Sequence, residues 1–199
     1  MNIISKNIPN LLTCLNLIVG LISISFSFEG NLVFGTILIF SGLFIDFFDG
    51  FFARFLDAYS EFGKQLDSLA DLVTFGIAPS VIIYQLIHYK IFNQYVLENL
   101  DTDFNLAYLA FVFPVFGAIR LAKFNLDTDQ QENFIGLPVP AAGIFLASLS
   151  FYDEKILTTH IILLCLFTLS MLLVSRISLF SLKIKKHEQK RSRINYFRI

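Results

Sequence analysis

Apolar residues come in long blocks along this chain, near positions 11–27, 32–54, 66–88, 104–124, 137–152 and 156–175. A helix needs about 20 mainly apolar residues to cross a bilayer, so the blocks predict an all-α integral membrane protein with six transmembrane helices. The fifth block is short and begins at Pro138 and Pro140, which blurs its start. Residues 1–11 mix isoleucine with Lys6 and asparagines, a pattern for a short amphipathic helix on the membrane surface ahead of the first span. Pro9 then suits a helix start, with Asn10 and Thr13 placed to cap or back-bond. Residues 55–62 form a polar connection, and 88–103 a longer acidic one in which no chemistry is evident. There is no internal repeat or second domain, so residues 1–199 read as a single membrane domain ending in a basic tail at about 176–199.

Composition supports the membrane reading: 55% of the 199 residues are hydrophobic, 24 of them are phenylalanine, and the mean hydropathy is +0.67. The net charge of −1 hides an asymmetry. With six spans, every Lys and Arg except Lys90 and Lys155 falls on one side, where both termini also lie. The positive-inside rule puts that side in the cytoplasm. No cleavable signal peptide is evident, so the first block stays as a span. Cys14 and Cys165 fall near opposite membrane faces and read as small buried hydrophobes rather than a disulfide. His88, His160 and His187 have no metal-ligand spacing. The basic tail can touch anionic headgroups, although topology alone accounts for it, and no nucleic-acid partner is expected.

Four aspartates break the apolar pattern where burial alone would not place them. Asp46, Asp49, Gly50 and Ala53 share one helix face, and Gly63, Asp67 and Asp71 share another. Each membrane-embedded Asp costs ~2.5–3.5 kcal/mol on insertion scales, and four together repel one another unless something positive sits among them. A hard divalent cation such as Mg²⁺ or Mn²⁺ takes oxygen ligands of this kind, often together with substrate phosphates. Glycines at Gly50 and Gly63 let a phosphate approach the backbone, and Arg54 on the flank can pair with a phosphate oxygen.

The eight positions Asp46, Asp49, Gly50, Ala53, Arg54, Gly63, Asp67 and Asp71 resemble the signature of the CDP-alcohol phosphotransferase family, with every specified residue filled. The resemblance implies two divalent cations, Mg²⁺ or Mn²⁺, bridged by Asp46 and Asp67, with Asp49 completing one site and Asp71 the other. It also makes Asp71 the general base, and assigns Asn10, Thr13, Gly50, Ala53, Arg54, Ser60 and Gly63 to the nucleotide of CDP-diacylglycerol. A homodimer with its active site on the cytoplasmic side is implied as well.

Further along, the segment from Gly117 to Asn125 and the turn Gly136-Leu137-Pro138-Val139-Pro140 resemble the phosphatidylserine synthase branch of that family. Residues 62–79 look like the same branch, and the resemblance covers roughly 9–140. It implies transfer of a phosphatidyl group from CDP-diacylglycerol to L-serine with release of CMP, Arg120 and Asn125 recognising the amino acid. On the residues alone, Arg120 can equally snorkel at a helix end. Rival readings are a relative with another alcohol acceptor, such as a phosphatidylglycerophosphate or phosphatidylinositol-phosphate synthase, a cation transporter using the aspartates as an ion site, and a scaffold. Glycines and an arginine woven into the carboxylates fit phosphate better than a bare ion, and a scaffold needs no carboxylates.

Overall fold

The computed structural model describes residues 3–97, 105–126, 136–153 and 156–175, with side chains from residue 7 onward. Seven α-helices account for most of it: α1 (Ile3–Phe28), α2 (Leu32–Phe55), α3 (Glu61–Asp71), α4 (Ala78–Phe92), α5 (Val112–Leu126), α6 (Val139–Ser148) and α7 (Thr159–Val174). No strand is present among the described residues. The expected basic tail lies outside them, as do residues 127–135 and residues 98–103 of the acidic connection.

Two helices, α1 and α2, turn most of their large apolar side chains outward. On α1 the buried stripe is Thr13, Asn16, Gly20, Ser23 and Ser27, whereas Leu11, Leu15, Ile18, Leu21 and Ile22 are exposed. On α2 the buried side carries Gly35, Thr36, Gly42 and Asp49 with Leu32 and Ile39, and Phe44, Phe47, Phe48, Phe51 and Phe55 face out. A lipid tail is as apolar as leucine, so nothing drives large side chains inward; small residues allow close backbone approach and hydroxyls bond across helices. Thus Ser23 Oγ donates to the Gly35 carbonyl at 2.8 Å, and Thr36 Oγ1 donates to the Ala147 carbonyl at 3.0 Å.

Local signals fix the connections at both ends of α2. Gly30, at φ +83°, turns the chain between α1 and α2, and the Asn31 side chain caps α2. Past α2, Asp57 takes a left-handed φ of +47°, and Ser60 Oγ caps α3 by accepting from Gly63 N at 2.9 Å. Pro9 does not interrupt α1, so residues 3–28 form one helix rather than a surface helix followed by a span.

The centre of the bundle is the continuous helical run Glu61–Phe92, 72% of whose most apolar window is buried, against 28–33% for the other long helices. Between α3 and α4 this run widens into a π-helical stretch, Leu72–Ile77, directly after Asp71. Pro79 lacks an N–H and cannot continue the usual ladder, and the next residue, Ser80, donates its Oγ back to the Gly76 carbonyl at 2.8 Å.

Among the described residues four runs, Asn7–Phe28, Leu32–Phe55, Glu61–Phe92 and Leu106–Leu126, are long and apolar enough to cross a membrane. Two more apolar stretches, Val139–Phe151 and Thr159–Val174, fall short of that length. At 16 residues, α7 spans ~24 Å against ~30 Å of hydrocarbon. The architecture is that of an all-α, multi-pass membrane protein with four such helices.

Candidate active site

The acidic residues gather at one end of the bundle, where α1, α2 and α3 meet. Asp46 and Asp49 come from the last turns of α2, Asp67 and Asp71 from the last turns of α3. One carboxylate oxygen each from Asp46, Asp49 and Asp67 lie within 4.8 Å of one another, a grouping that can hold a metal ion. Asp71 lies against Asp46, carboxyl beside carboxyl. The Oδ1 atoms of Asp67 and Asp71 are both shielded from solvent and without a hydrogen-bond donor. Buried carboxylate oxygens left unpaired cost several kcal/mol, roughly, so this donor set fits a hard cation that would supply the missing charge.

Thr13 ties α1 to the cluster. Its Oγ1 lies 2.7 Å from Asp49 Oδ2 and 3.0 Å from the Pro9 carbonyl, and its proton is shared between these acceptors. Asp49 is only 5% exposed, so this bond sets which oxygen remains free to face the other carboxylates.

Beside the cluster lies a cavity of about 590 Å³, a size usual for small-molecule sites. Its walls include the expected Asn10, Thr13, Gly50, Ala53, Ser60 and Gly63 together with Asp49 and Asp67. Arg54 is not among the lining residues; its side chain is exposed on the flank of α2. The N-terminus of α3 borders the same cavity, which favours an anionic occupant.

The two glycines of the motif do different work. A Cβ on Gly50 would meet nothing within 4 Å, so its missing side chain leaves cavity space. A Cβ on Gly63 would fall 2.8 Å from Asn10 Oδ1 and 3.0 Å from Ser60 Oγ, so this glycine allows α1 to approach the capped start of α3. Gly50→Val is therefore expected to keep its thermal midpoint in detergent while the KM for the cavity's ligand rises about tenfold or more, for an intrusion worth ~1.4 kcal/mol. A drop in midpoint with unchanged KM would give Gly50 a packing role.

Arg120 and Asn125 sit on the other side of α3, on α5, and neither lines the cavity. Arg120 is half-buried, within electrostatic reach of Asp71, with Cζ 5.7 Å from the Phe124 ring centroid and Nε buried without a partner. Asn125 Nδ2 donates to Ser68 Oγ at 2.9 Å and Gln65 Oε1 at 3.3 Å, while its backbone carbonyl accepts from Lys64 Nζ at 3.2 Å. Its amide nitrogen thus fastens α5 to α3, and its Oδ1 is buried and unpartnered.

Sequence reasoning passed over Asn16. It lies three residues beyond Thr13, is fully buried, and has neither Nδ2 nor Oδ1 paired. The signal was the one that revealed the aspartates: a strongly polar side chain inside an apolar block. Among the histidines, His88 is buried far from the cluster at the opposite end of α4, its Nδ1 2.9 Å from the Gln94 carbonyl, a contact that pins the following turn.

A helical bundle in lipid with a metal-competent carboxylate cluster, a nucleotide-sized cavity on one flank and a guanidinium on the other defines a membrane-embedded transferase of phosphorylated substrates. The chain belongs to the CDP-alcohol phosphatidyltransferase family, whose pattern matches residues 6–184. It is 40% identical over 172 residues to the CDP-diacylglycerol–serine O-phosphatidyltransferase of Bacillus subtilis (strain 168), an overlap covering 85% of this chain and 88% of that protein. The Helicobacter pylori (strain J99) protein of the same name is 36% identical over 74% of this chain and 58% of its own length. An archaetidylserine synthase of Methanothermobacter thermautotrophicus is 33% identical over 74% of this chain and 60% of its own length.

Proposed function

We propose that this chain transfers the phosphatidyl group of CDP-diacylglycerol to the hydroxyl of L-serine and releases CMP. The observation that carries the reading is the two-sided site, a carboxylate cluster between a cavity and Arg120, in a chain so similar to relatives named for that reaction. The nucleotide and its phosphates occupy the cavity between α1, α2 and the start of α3, with the acyl chains among the exposed apolar helix faces. Asn10, Thr13, Gly50, Ala53, Ser60 and Gly63 line that space, and Arg54 contributes charge at its outer edge. Serine approaches from the α5 side, where the Arg120 guanidinium pairs with its carboxylate.

Asp46, Asp49, Asp67 and Asp71 would hold two divalent cations, Mg²⁺ or Mn²⁺, with Asp46 and Asp67 shared. Bound there, such ions neutralise the pyrophosphate and stabilise charge on the departing CMP. Asp71 accepts the proton of the serine hydroxyl as the new oxygen–phosphorus bond forms, and the bond to CMP breaks with its electron pair on the leaving phosphate. Thr13 orients Asp49, and the Asn125 bonds to α3 keep Arg120 at a fixed distance from Asp71. Six spans rest on the apolar blocks, and with that count the distribution of Lys and Arg puts both termini and the site on the cytoplasmic side. The homodimer rests on family likeness, and the mass of the purified protein in detergent measures it.

One assay tests the reading. Purified protein receives CDP-diacylglycerol, Mg²⁺ or Mn²⁺ and a panel of alcohols, and CMP release is measured. Serine alone should support turnover; preference for glycerol 3-phosphate or inositol phosphate would reassign the acceptor. In sealed vesicles, added serine should be used only when the cytoplasmic face points outward. Arg120→Lys should raise the KM for serine about tenfold or more, because a point charge replaces a planar fork, and leave that for CDP-diacylglycerol near wild type. Snorkelling predicts no change in either.

A further inference from the structure

We propose that Asn16 is a positioning residue for the acidic site, holding through a bound water the carboxylates that bind metal. Asn16 has no exposed surface, and neither end of its carboxamide has a hydrogen-bond partner. A carboxamide has two N–H donors and an oxygen with two lone pairs, so burying it unpaired in the bilayer interior is strongly unfavourable. Were the position merely for packing, an apolar side chain of similar volume would serve better.

Its surroundings show a built place for that amide. The Thr74 hydroxyl donates to the Asn16 backbone carbonyl at 3.1 Å. A Cβ on Gly42 would fall 2.9 Å from Asn16 Oδ1 and 2.7 Å from Thr74 Cγ2, so the glycine makes room for both side chains. Three helices therefore meet around Asn16 in a single layer. Gly42 is four residues before Asp46, Thr74 three after Asp71, and Asn16 three after Thr13, which bonds Asp49. That layer lies one helical turn, ~5.4 Å, beneath the acidic cluster and forms its floor.

The unpaired groups of the two layers are complementary. Asn16 Nδ2 lacks an acceptor, while Asp71 Oδ1, buried one turn above it, lacks a donor. A turn is too far for a direct bond and suits one water, which can accept from the amide and donate to a carboxylate. Such a water fixes the orientation of a metal-binding oxygen, as outer partners of metal ligands do, and their removal typically lowers metal affinity 10–100-fold.

The inference rests on the metal reading above, and its test separates the two. Full-length protein in detergent is titrated with Mn²⁺ alone, free Mn²⁺ being followed by electron paramagnetic resonance, for wild type, Asn16→Val, Asn16→Ser and Asp46→Asn. Asn16→Val should weaken Mn²⁺ binding about 10–100-fold without lowering the metal-free thermal midpoint, and Asn16→Ser, whose hydroxyl can hold the same water, should recover part of the loss. A Mn²⁺ Kd for Asn16→Val within about twofold of wild type would overturn the proposal, whatever happens to the midpoint. Should Asn16→Val not fold, Asn16→Ala against Asn16→Ser gives the same comparison. Absence of Mn²⁺ binding in the wild type itself would remove the metal reading and this inference with it.

Discussion

Asp46→Asn is expected to abolish CMP release, by on the order of 10³-fold or more, because on the metal reading it removes one of the two carboxylates shared between the cations. Asp46 groups with Asp49 and Asp67 and also lies against Asp71. Asparagine keeps the shape and one oxygen but loses the charge. Stability should move the other way. With no cation bound, four carboxylates crowd a site largely shielded from water, and neutralising one relieves repulsion, so the metal-free midpoint should hold or rise. Loss of turnover with a preserved midpoint and abolished Mn²⁺ binding is the expected triad of results. Full turnover of Asp46→Asn in excess EDTA would dispose of the metal reading.

The parts of this molecule legible in the sequence are those where lipid imposes a simple rule. Long apolar blocks gave α1, α2 and the central run because every backbone group inside a bilayer must be paired within its own helix. Block ends were less legible. Residues 61–62 read as connection, yet Ser60 caps them into α3, and α6 and α7 are shorter than the blocks that announced them. The π-helical stretch after Asp71 leaves no trace in hydrophobic periodicity, since it sits in a mostly apolar segment with Thr74, Phe75 and Gly76 buried and no residue fully exposed.

At the site, the aspartates were legible because carboxylates inside apolar blocks have no packing rationale. The purpose of individual neighbours was less so. Gly63 reads as room for phosphate and turns out to let α1 meet α3; Thr13 reads as a cap or nucleotide contact and bonds Asp49; Asn125 reads as a substrate ligand and spends its amide nitrogen on α3. Each of these depends on which helix lies opposite, and helix pairing is not written in one helix's period. Asn16 shows the reverse case, a residue whose isolation in an apolar block was visible and whose meaning required the layer above it.

Asp71→Asn is expected to lower kcat by about 10²–10⁴-fold, the range usual for removing a general base, while binding of CDP-diacylglycerol stays close to wild type. Two observations set Asp71 apart from the other carboxylates. It is outside the trio whose oxygens lie within 4.8 Å of one another, and it lies within electrostatic reach of Arg120. A carboxylate that is a metal ligand and nothing more should lose activity through weaker metal binding, and saturating Mn²⁺ should restore it. A base should not be rescued that way, because asparagine cannot accept the hydroxyl proton however full the metal site is. On the proposed reading Arg120, within electrostatic reach of Asp71, would bring the serine carboxylate, and so the hydroxyl, to this carboxylate rather than to Asp49, whose orientation Thr13 already restricts. Kinetics of Asp71→Asn across a Mn²⁺ titration, with Mn²⁺ binding measured in parallel, decide the matter. A kcat that climbs back to near wild type at high Mn²⁺ would make Asp71 a ligand only and would move the search for the base elsewhere in the site.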